Sequence, residues 1–127
     1  MKEISLKRVE HLVVKQNEHI ELFNAGSKKQ IAGWLAEELC ELTEVLEKDY
    51  EDVELISEIG DMAYLLIRLS QMCGVDIIEA VLAKVQRNYK KYSGKTDRQE
   101  ARKEWNGKDK ECICEWLKVF RDKQNKT

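Results

Sequence analysis

The sequence predicts an all-α protein, an antiparallel helical bundle. Three observations carry this reading. The 127 residues contain no proline, while Glu, Lys and Leu are frequent and β-branched runs are few, a composition that favours helix over strand. Apolar residues recur three and four apart in successive segments, the period of one helix face. At several breaks between segments a Ser, Thr or Asp is followed three residues later by Gln or Glu, the pairing that caps helix starts.

Each element follows in order. Residues 3–23 read as a first helix, with Val9, Leu12, Val13, Ile20 and Phe23 on one stripe. His11 and His19 fall on or beside it and read as surface or hydrogen-bonded histidines. Asn24 to Ser27 form a turn, and Ser27 with Gln30 starts the second helix. Its stripe runs Ile31, Trp34/Leu35, Leu42 and Val45/Leu46. Polar residues 48–52 break the rhythm. The third helix carries Leu55, Ile59/Met62, Leu65/Leu66, Leu69 and Met72, and Gly74 stops it. Asp76 and Glu79 cap a fourth helix to about Tyr92, with Ile78, Val81/Leu82, Val85 and Tyr89 as its packing stripe. Thr96 with Gln99 caps a short helix to about Trp105. Residues 109–123 form a last amphipathic helix, with Cys112/Ile113, Trp116/Leu117 and Val119/Phe120 inward. The last five residues are expected to fray.

Length and composition bound the function. Residues 1–127 suit a single domain, with a catalytic helical core over about 3–92 and a helical extension over about 96–124. The formal net charge is −2, which announces no specific nucleic-acid partner. No stretch approaches the roughly 20 apolar residues of a membrane span, and the N-terminus has no apolar signal segment. Cys40, Cys73, Cys112 and Cys114 have no framework spacing and read as reduced thiols in a cytoplasmic protein.

The chemistry concentrates in residues 27–73. Glu38 and Glu41 are three apart on one helix face, and so are Glu58 and Asp61. Both cross-pairs, 38 with 61 and 41 with 58, are centred on the predicted turn. In an antiparallel pair rising about 1.5 Å per residue, Glu41 then sits level with Glu58 and Glu38 with Asp61. Glu38 and Glu41 fill a gap in the apolar stripe, and Glu58 and Asp61 lie beside theirs. Between Ile31 and Ile67 there is one base, Lys48, against eleven acids. Like charges so placed need protonation, a basic partner from elsewhere, or a divalent cation. Oxygen ligands in that number suit Mg²⁺, with Mn²⁺ as the alternative. Lys84 and Asn88, four apart, share one face of the fourth helix, and Lys91/Tyr92 continue it. Trp34 lies one turn before Glu38 and could stack on a base. Lys28 and Lys29 open their helix where a cation opposes the helix dipole, which admits a phosphate-contacting role.

The run Ala36-Glu37-Glu38-Leu39-Cys40-Glu41-Leu42, then Glu58-Ile59-Gly60-Asp61, then Lys84 to Tyr92 resembles the MazG-like all-α nucleoside triphosphate pyrophosphohydrolases. Their pattern is EExxE, a gap, ExxD, and a later helix with Lys, Asn and a basic-aromatic end. The resemblance covers about residues 27–92. It implies a bundle of the all-α NTP pyrophosphatase type, completed by oligomerisation to a homodimer or homotetramer. It also implies Mg²⁺-dependent hydrolysis of (d)NTP to (d)NMP and pyrophosphate. By matching positions, Glu38, Glu41, Glu58 and Asp61 are expected as metal ligands and Lys84 and Asn88 as phosphate contacts. Glu37, Glu38 and Glu41 are the candidates for the general base. Relatives carry base-stacking aromatics just before the first acidic helix; here that stretch is Leu22-Phe23-Asn24-Ala25-Gly26, which leaves the preferred base open. Two other readings stand beside this one. The first is a related enzyme acting on phosphoribosyl-ATP. The second is a non-catalytic helical module whose acidic hairpin docks a basic partner.

Overall fold

The computed structural model describes residues 3–20 and 26–125. Among the described residues every regular element is a helix. The chain divides into two compact units, Met1–Ile77 and Ile78–Thr127.

The first unit holds α1 (Leu6–His19), α2 (Lys28–Leu46) and α3 (Asp52–Met72). The Ser5 hydroxyl accepts from the Arg8 N–H at 3.2 Å and so satisfies one orphan donor of α1. α1 is shorter than the 3–23 expected: it ends at His19, and Ile20 is extended. Leu22 and Phe23, and the turn residues Asn24 and Ala25, lie outside the described residues. α2 opens with the expected capping box. The Ser27 N–H donates to Gln30 Oε1 at 2.7 Å, and the Gln30 N–H donates to Ser27 Oγ at 3.2 Å. α3 stops at the expected glycine. Gly74 has φ +69°, its N–H donates to the Gln71 carbonyl at 3.2 Å, and the Val75 N–H donates to the Ser70 carbonyl at 2.9 Å. That double closure requires a left-handed residue, for which glycine has no Cβ penalty.

α2 packs along α3, and α1 packs on α3. On α2 the inward residues are Ile31, Leu35, Glu38, Leu42 and Val45; Ile31 is fully buried. On α3 they include Leu55, Glu58, Met62, Leu65 and Leu69. Spacings of alternately three and four define the seam of an antiparallel helix pair. The structure corrects the expected α3 stripe: Glu58 occupies the seam, whereas Ile59 is 51% exposed. Tyr64 and Gln71 meet α1 through polar contacts, Tyr64 Oη to Asn17 Oδ1 at 3.0 Å and Gln71 Nε2 to the Glu10 carbonyl at 3.0 Å.

The second unit is made of α4 (Ile77–Tyr92), α5 (Arg98–Glu104) and α6 (Asp109–Asn125). Here the apolar rhythm misleads. Val81, Leu82, Val85 and Tyr89, expected to pack, are exposed. The inward face of α4 is Ala83, Arg87 and Lys91, spaced by one helical turn. Lys91 Nζ is drawn in by Asp109, whose carboxylate accepts at 3.1 Å, and Arg87 pairs with the same group at 3.3 Å. α5 is capped by Asp97 and not by Thr96: the Asp97 carboxylate accepts from the Gln99 N–H at 2.9 Å. A carboxylate is a good N-cap acceptor. On α6, Cys112 is buried and Trp116 stacks on Phe120 with ring centroids 4.7 Å apart; Val119, expected inward, is exposed. The Arg121 guanidinium pairs with Glu79. All four cysteines are free thiols. Among the described residues no helix is long and apolar enough to cross a membrane.

Candidate active site

The α2–α3 seam brings together three of the four predicted carboxylates. Glu38 comes from the middle of α2, and Glu58 and Asp61 come from successive turns of α3. Each offers an oxygen that lies within 4.8 Å of the other two. Glu38 and Glu58 are half-buried and Asp61 is exposed. Glu41 is exposed and falls outside this trio. Its charge nevertheless acts on both Glu38 and Glu58. Glu37 is exposed on the neighbouring position of α2.

The electrostatics are one-sided. Two carboxylates about 5 Å apart repel by about 3 kcal/mol at an effective dielectric of about 20. Lys48, the lone base of the acidic stretch, pairs with Glu54 at 3.1 Å and so lies on another partner. Among the described residues no ion pair reaches Glu38, Glu58 or Asp61. Desolvation is the first cause that pushes Glu38 up to about 7, followed by the charges of Glu41 and Asp61. Glu58 is also raised, by desolvation and then by Glu41. Glu38 Oε2 and Glu58 Oε2 are buried and have no hydrogen-bond partner. Acceptors so stranded are costly unless something positive or protonated meets them. Hard, anionic oxygens in a tight group are the donor set that a small divalent cation takes. The residues therefore fit a metal.

The other predicted residues are placed as follows. Trp34 is 38% exposed, one turn before Glu38. Its six-membered ring lies so close to Gly26 that a Cβ there would meet it at 3.2 Å. Lys28 is exposed at the start of α2, and Lys84 and Asn88 are exposed on α4. Lys91 does not extend their face as a free cation, because it is buried against Asp109. Tyr92 is half-buried beneath the Lys91 ammonium, which stands 5.5 Å from its ring centre. Sequence spacing missed Asp109 as an organising residue. It lies 18 positions beyond Lys91, and no periodic signal links the two.

Residues 6–89 match the model of a family described as phosphoribosyl-ATP pyrophosphohydrolase. No curated protein and no solved structure matches the chain. The family belongs to the all-α NTP pyrophosphatase superfamily alongside MazG, and the all-helical architecture agrees with that fold. Pyrophosphohydrolases of this superfamily generally use a divalent metal, and Glu38, Glu58 and Asp61 form an acidic group of a spacing that can hold one. With that match spanning most of its length, the chain belongs to the phosphoribosyl-ATP pyrophosphohydrolase family and is a hydrolase acting on acid anhydrides.

Proposed function

We propose that this enzyme is a Mg²⁺-dependent, MazG-like nucleoside triphosphate pyrophosphohydrolase. It hydrolyses (d)NTP between the α and β phosphorus atoms to (d)NMP and pyrophosphate. The observation that carries the reading is the carboxylate trio, with two buried oxygens that nothing in the protein satisfies. Glu38, Glu58 and Asp61, with Glu41 beside them, would hold the cation. Bound there, Mg²⁺ would supply neutralisation of phosphate charge and acidification of water. The chain's own residues do the rest. Glu37, outside the trio, accepts the proton of the attacking water, since a carboxylate committed to a cation is a poor base; Glu41 is the alternative base only if the trio holds the cation without it. Lys84, Asn88 and Lys28 steady phosphate oxygens through charged and neutral hydrogen bonds. Tyr92 belongs to the same proposed set, and Lys91 contributes through the position it gives Asp109 and Tyr92. Trp34 offers a partly exposed indole to a base.

A second reading, hydrolysis of phosphoribosyl-ATP, is favoured by the description of the matching family. Both substrates present a triphosphate, so the same carboxylates serve either. We further propose a homodimer or homotetramer. Leu39, Val53, Ile56 and Ile59 are each at least half exposed on the α2–α3 hairpin, and such apolar groups are natural contacts between copies. Full activity from a stable monomer in light scattering would reject the assembly.

The test is pyrophosphate release across ribo- and deoxyribonucleoside triphosphates and phosphoribosyl-ATP, with and without Mg²⁺. Turnover of nucleoside triphosphates that requires Mg²⁺, and that is abolished by Glu38→Gln or Asp61→Asn, is the expected result. Selective turnover of phosphoribosyl-ATP would establish the second reading. Near-normal turnover in either variant would remove the metal-ligand assignment.

A further inference from the structure

The turn between α5 and α6 carries chemistry of its own. Asn106 and Gly107 form it, and Asn106 is the only asparagine of the chain that glycine follows. Such a pair marks a turn, and the backbone closes one on either side of it. The Asn106 N–H donates to the Lys103 carbonyl at 3.3 Å, and the Lys108 N–H reaches back across the turn to the Trp105 carbonyl at 2.9 Å. The Gly107 N–H between them is passed over. Among the described residues it has no hydrogen-bond acceptor, and the Asn106 carboxamide has no partner either. Asn106, Gly107 and Lys108 are all exposed. Gly107 has φ +78°, and a Cβ built on it would meet nothing within 4 Å, so the space around its nitrogen is open. The other asparagines inside described helices differ. Asn17 and Asn88 lie within α1 and α4, where the N–H of the next residue is committed to the carbonyl four residues back. Asn17 Oδ1 also accepts from the Tyr64 hydroxyl at 3.0 Å.

We propose that Asn106 is a self-modifying site, at which the Gly107 amide nitrogen attacks the Asn106 carboxamide and converts the residue to aspartate or isoaspartate without an enzyme. Hydroxide removes the Gly107 amide proton, and the nitrogen forms a bond to Asn106 Cγ. The Cγ–Nδ2 bond breaks, and Nδ2 takes a proton from water and leaves as ammonia. The product is a cyclic imide, which water opens at either carbonyl. Opening at Cγ leaves aspartate. Opening at the main-chain carbonyl leaves isoaspartate, in which the chain runs through Cβ and Cγ. The net change consumes water, releases ammonia and needs no oxidant or metal. Glycine favours the first step because it has no Cβ to hinder its nitrogen and the widest backbone freedom to bring that nitrogen onto the carboxamide. The position gives the change a structural effect. Isoaspartate lengthens the main chain by a methylene inside the span that the Lys108–Trp105 hydrogen bond closes. Asp109, which holds Arg87 and Lys91, follows directly after that span, so the change weakens the packing of α6 on α4. Asn106 and Gly107 lie beyond residues 6–89, the part that matches the family, and the reaction is independent of the substrate the enzyme takes.

Ageing the intact protein in heavy-oxygen water, followed by peptide mass analysis, tests it. The heavy oxygen should enter the peptide that carries Asn106, faster at pH 8 than at pH 6 because hydroxide drives the first step. An isoaspartyl methyltransferase should then methylate that peptide. Asn17 and Asn88 should stay unlabelled while the protein is folded. Asn106→Gln, an exposed change that keeps the carboxamide but moves it one carbon further from the Gly107 nitrogen, should abolish the labelled form. Aged wild type should melt below fresh protein, and Asn106→Gln aged beside it should not. Incubation in urea supplies the rate of the same Asn-Gly bond in an open chain. The proposal fails if Asn106 is labelled in urea but not in the folded protein, or if Asn17 and Asn88 are labelled as fast in the folded protein. Its structural effect fails if aged and fresh wild type melt alike.

Discussion

Removing one negative charge from the seam should stabilise the metal-free enzyme. Consider Glu38→Gln, which keeps the shape of the side chain. In the unfolded chain Glu38 titrates near 4.5, and in the folded protein near 7. Between those values the folded state holds a proton that the unfolded state has released. Linkage then makes stability fall as pH rises from about 4.5 to about 7. Above that range Glu38 is charged beside Glu58 and Asp61, within 4.8 Å. The repulsion of about 3 kcal/mol per pair must be discounted, because Asp61 is exposed and water screens it, which leaves about 1–2 kcal/mol. A domain of this size converts that into a rise of about 3–8 °C in melting temperature. The assay is differential scanning calorimetry of both proteins in metal-depleted buffer at pH 5 and pH 8. The variant should melt higher at pH 8, and the gap should close at pH 5, where Glu38 is protonated. Millimolar Mg²⁺ at pH 8 should then raise the wild type, by mass action on a site that only the folded state has, and raise the variant much less. A variant that melts at or below the wild type at pH 8 without metal would refute the reasoning, since it would mean that Glu38 is not an uncompensated charge.

Two further outcomes follow from the packing. Asp109→Asn should destabilise by about 1–3 kcal/mol, less than a fully buried pair because Asp109 is partly exposed; it strands the Lys91 ammonium, 7% exposed, without its partner. Lys91 holds the Asp109 carboxyl below its usual range, so this contribution is present above the ordinary carboxylate value of about 3.9 and is lost as pH falls through the lower folded value; urea melts at pH 7 and pH 2.5 should show the difference between wild type and variant shrinking with acid. Ile31→Ala should cost about 2–5 kcal/mol, because the side chain is completely buried at the start of the seam, and urea denaturation should report it as a lower midpoint with an unchanged slope.

The first unit was legible because its signals are local. Ser27 and Gln30 cap a helix three residues apart, Gly74 ends one by its own conformation, and the gap at Glu38 in an apolar stripe marks a carboxylate facing inward. Equal distances from the expected break at 48–52 put Glu38 level with Asp61 and Glu41 level with Glu58; the first pair meets in the trio, while Glu41 lies outside it. Periodicity was less precise at the flanks of a stripe. Ile59 and Glu58 are neighbours, and the pattern chose the apolar one for the seam where the helix rotation chose the acid. In the second unit the determining contact is distant. Asp109 pulls Arg87 and Lys91 to the inside of α4, and the apolar stripe Val81, Leu82, Val85 and Tyr89 is left facing out. The capping rule failed at Thr96 for a simpler reason: the adjacent Asp97 is an equally good acceptor one position later.

Why a helix pair should keep two glutamates in its central seam follows from what they displace. A buried leucine at either position would contribute about 1.5–3 kcal/mol by the transfer of its surface from water, a large fraction of the roughly 5–15 kcal/mol that holds a domain folded. A structural role for such acids would require a base opposite them, yet Lys48 is engaged with Glu54. A solvated role would require them to be exposed, yet each keeps one oxygen out of water and unbonded. The remaining account is that Ile31, Leu35, Leu42 and Val45 on α2, with Leu55, Met62, Leu65 and Leu69 on α3, stabilise the pair on either side and hold the carboxylates at fixed spacing. The seam thus concentrates negative charge that no base offsets among the described residues. Protonation of Glu38, pushed up to about 7, relieves part of it, and a divalent cation, which enzymes of this superfamily generally use, would relieve the rest.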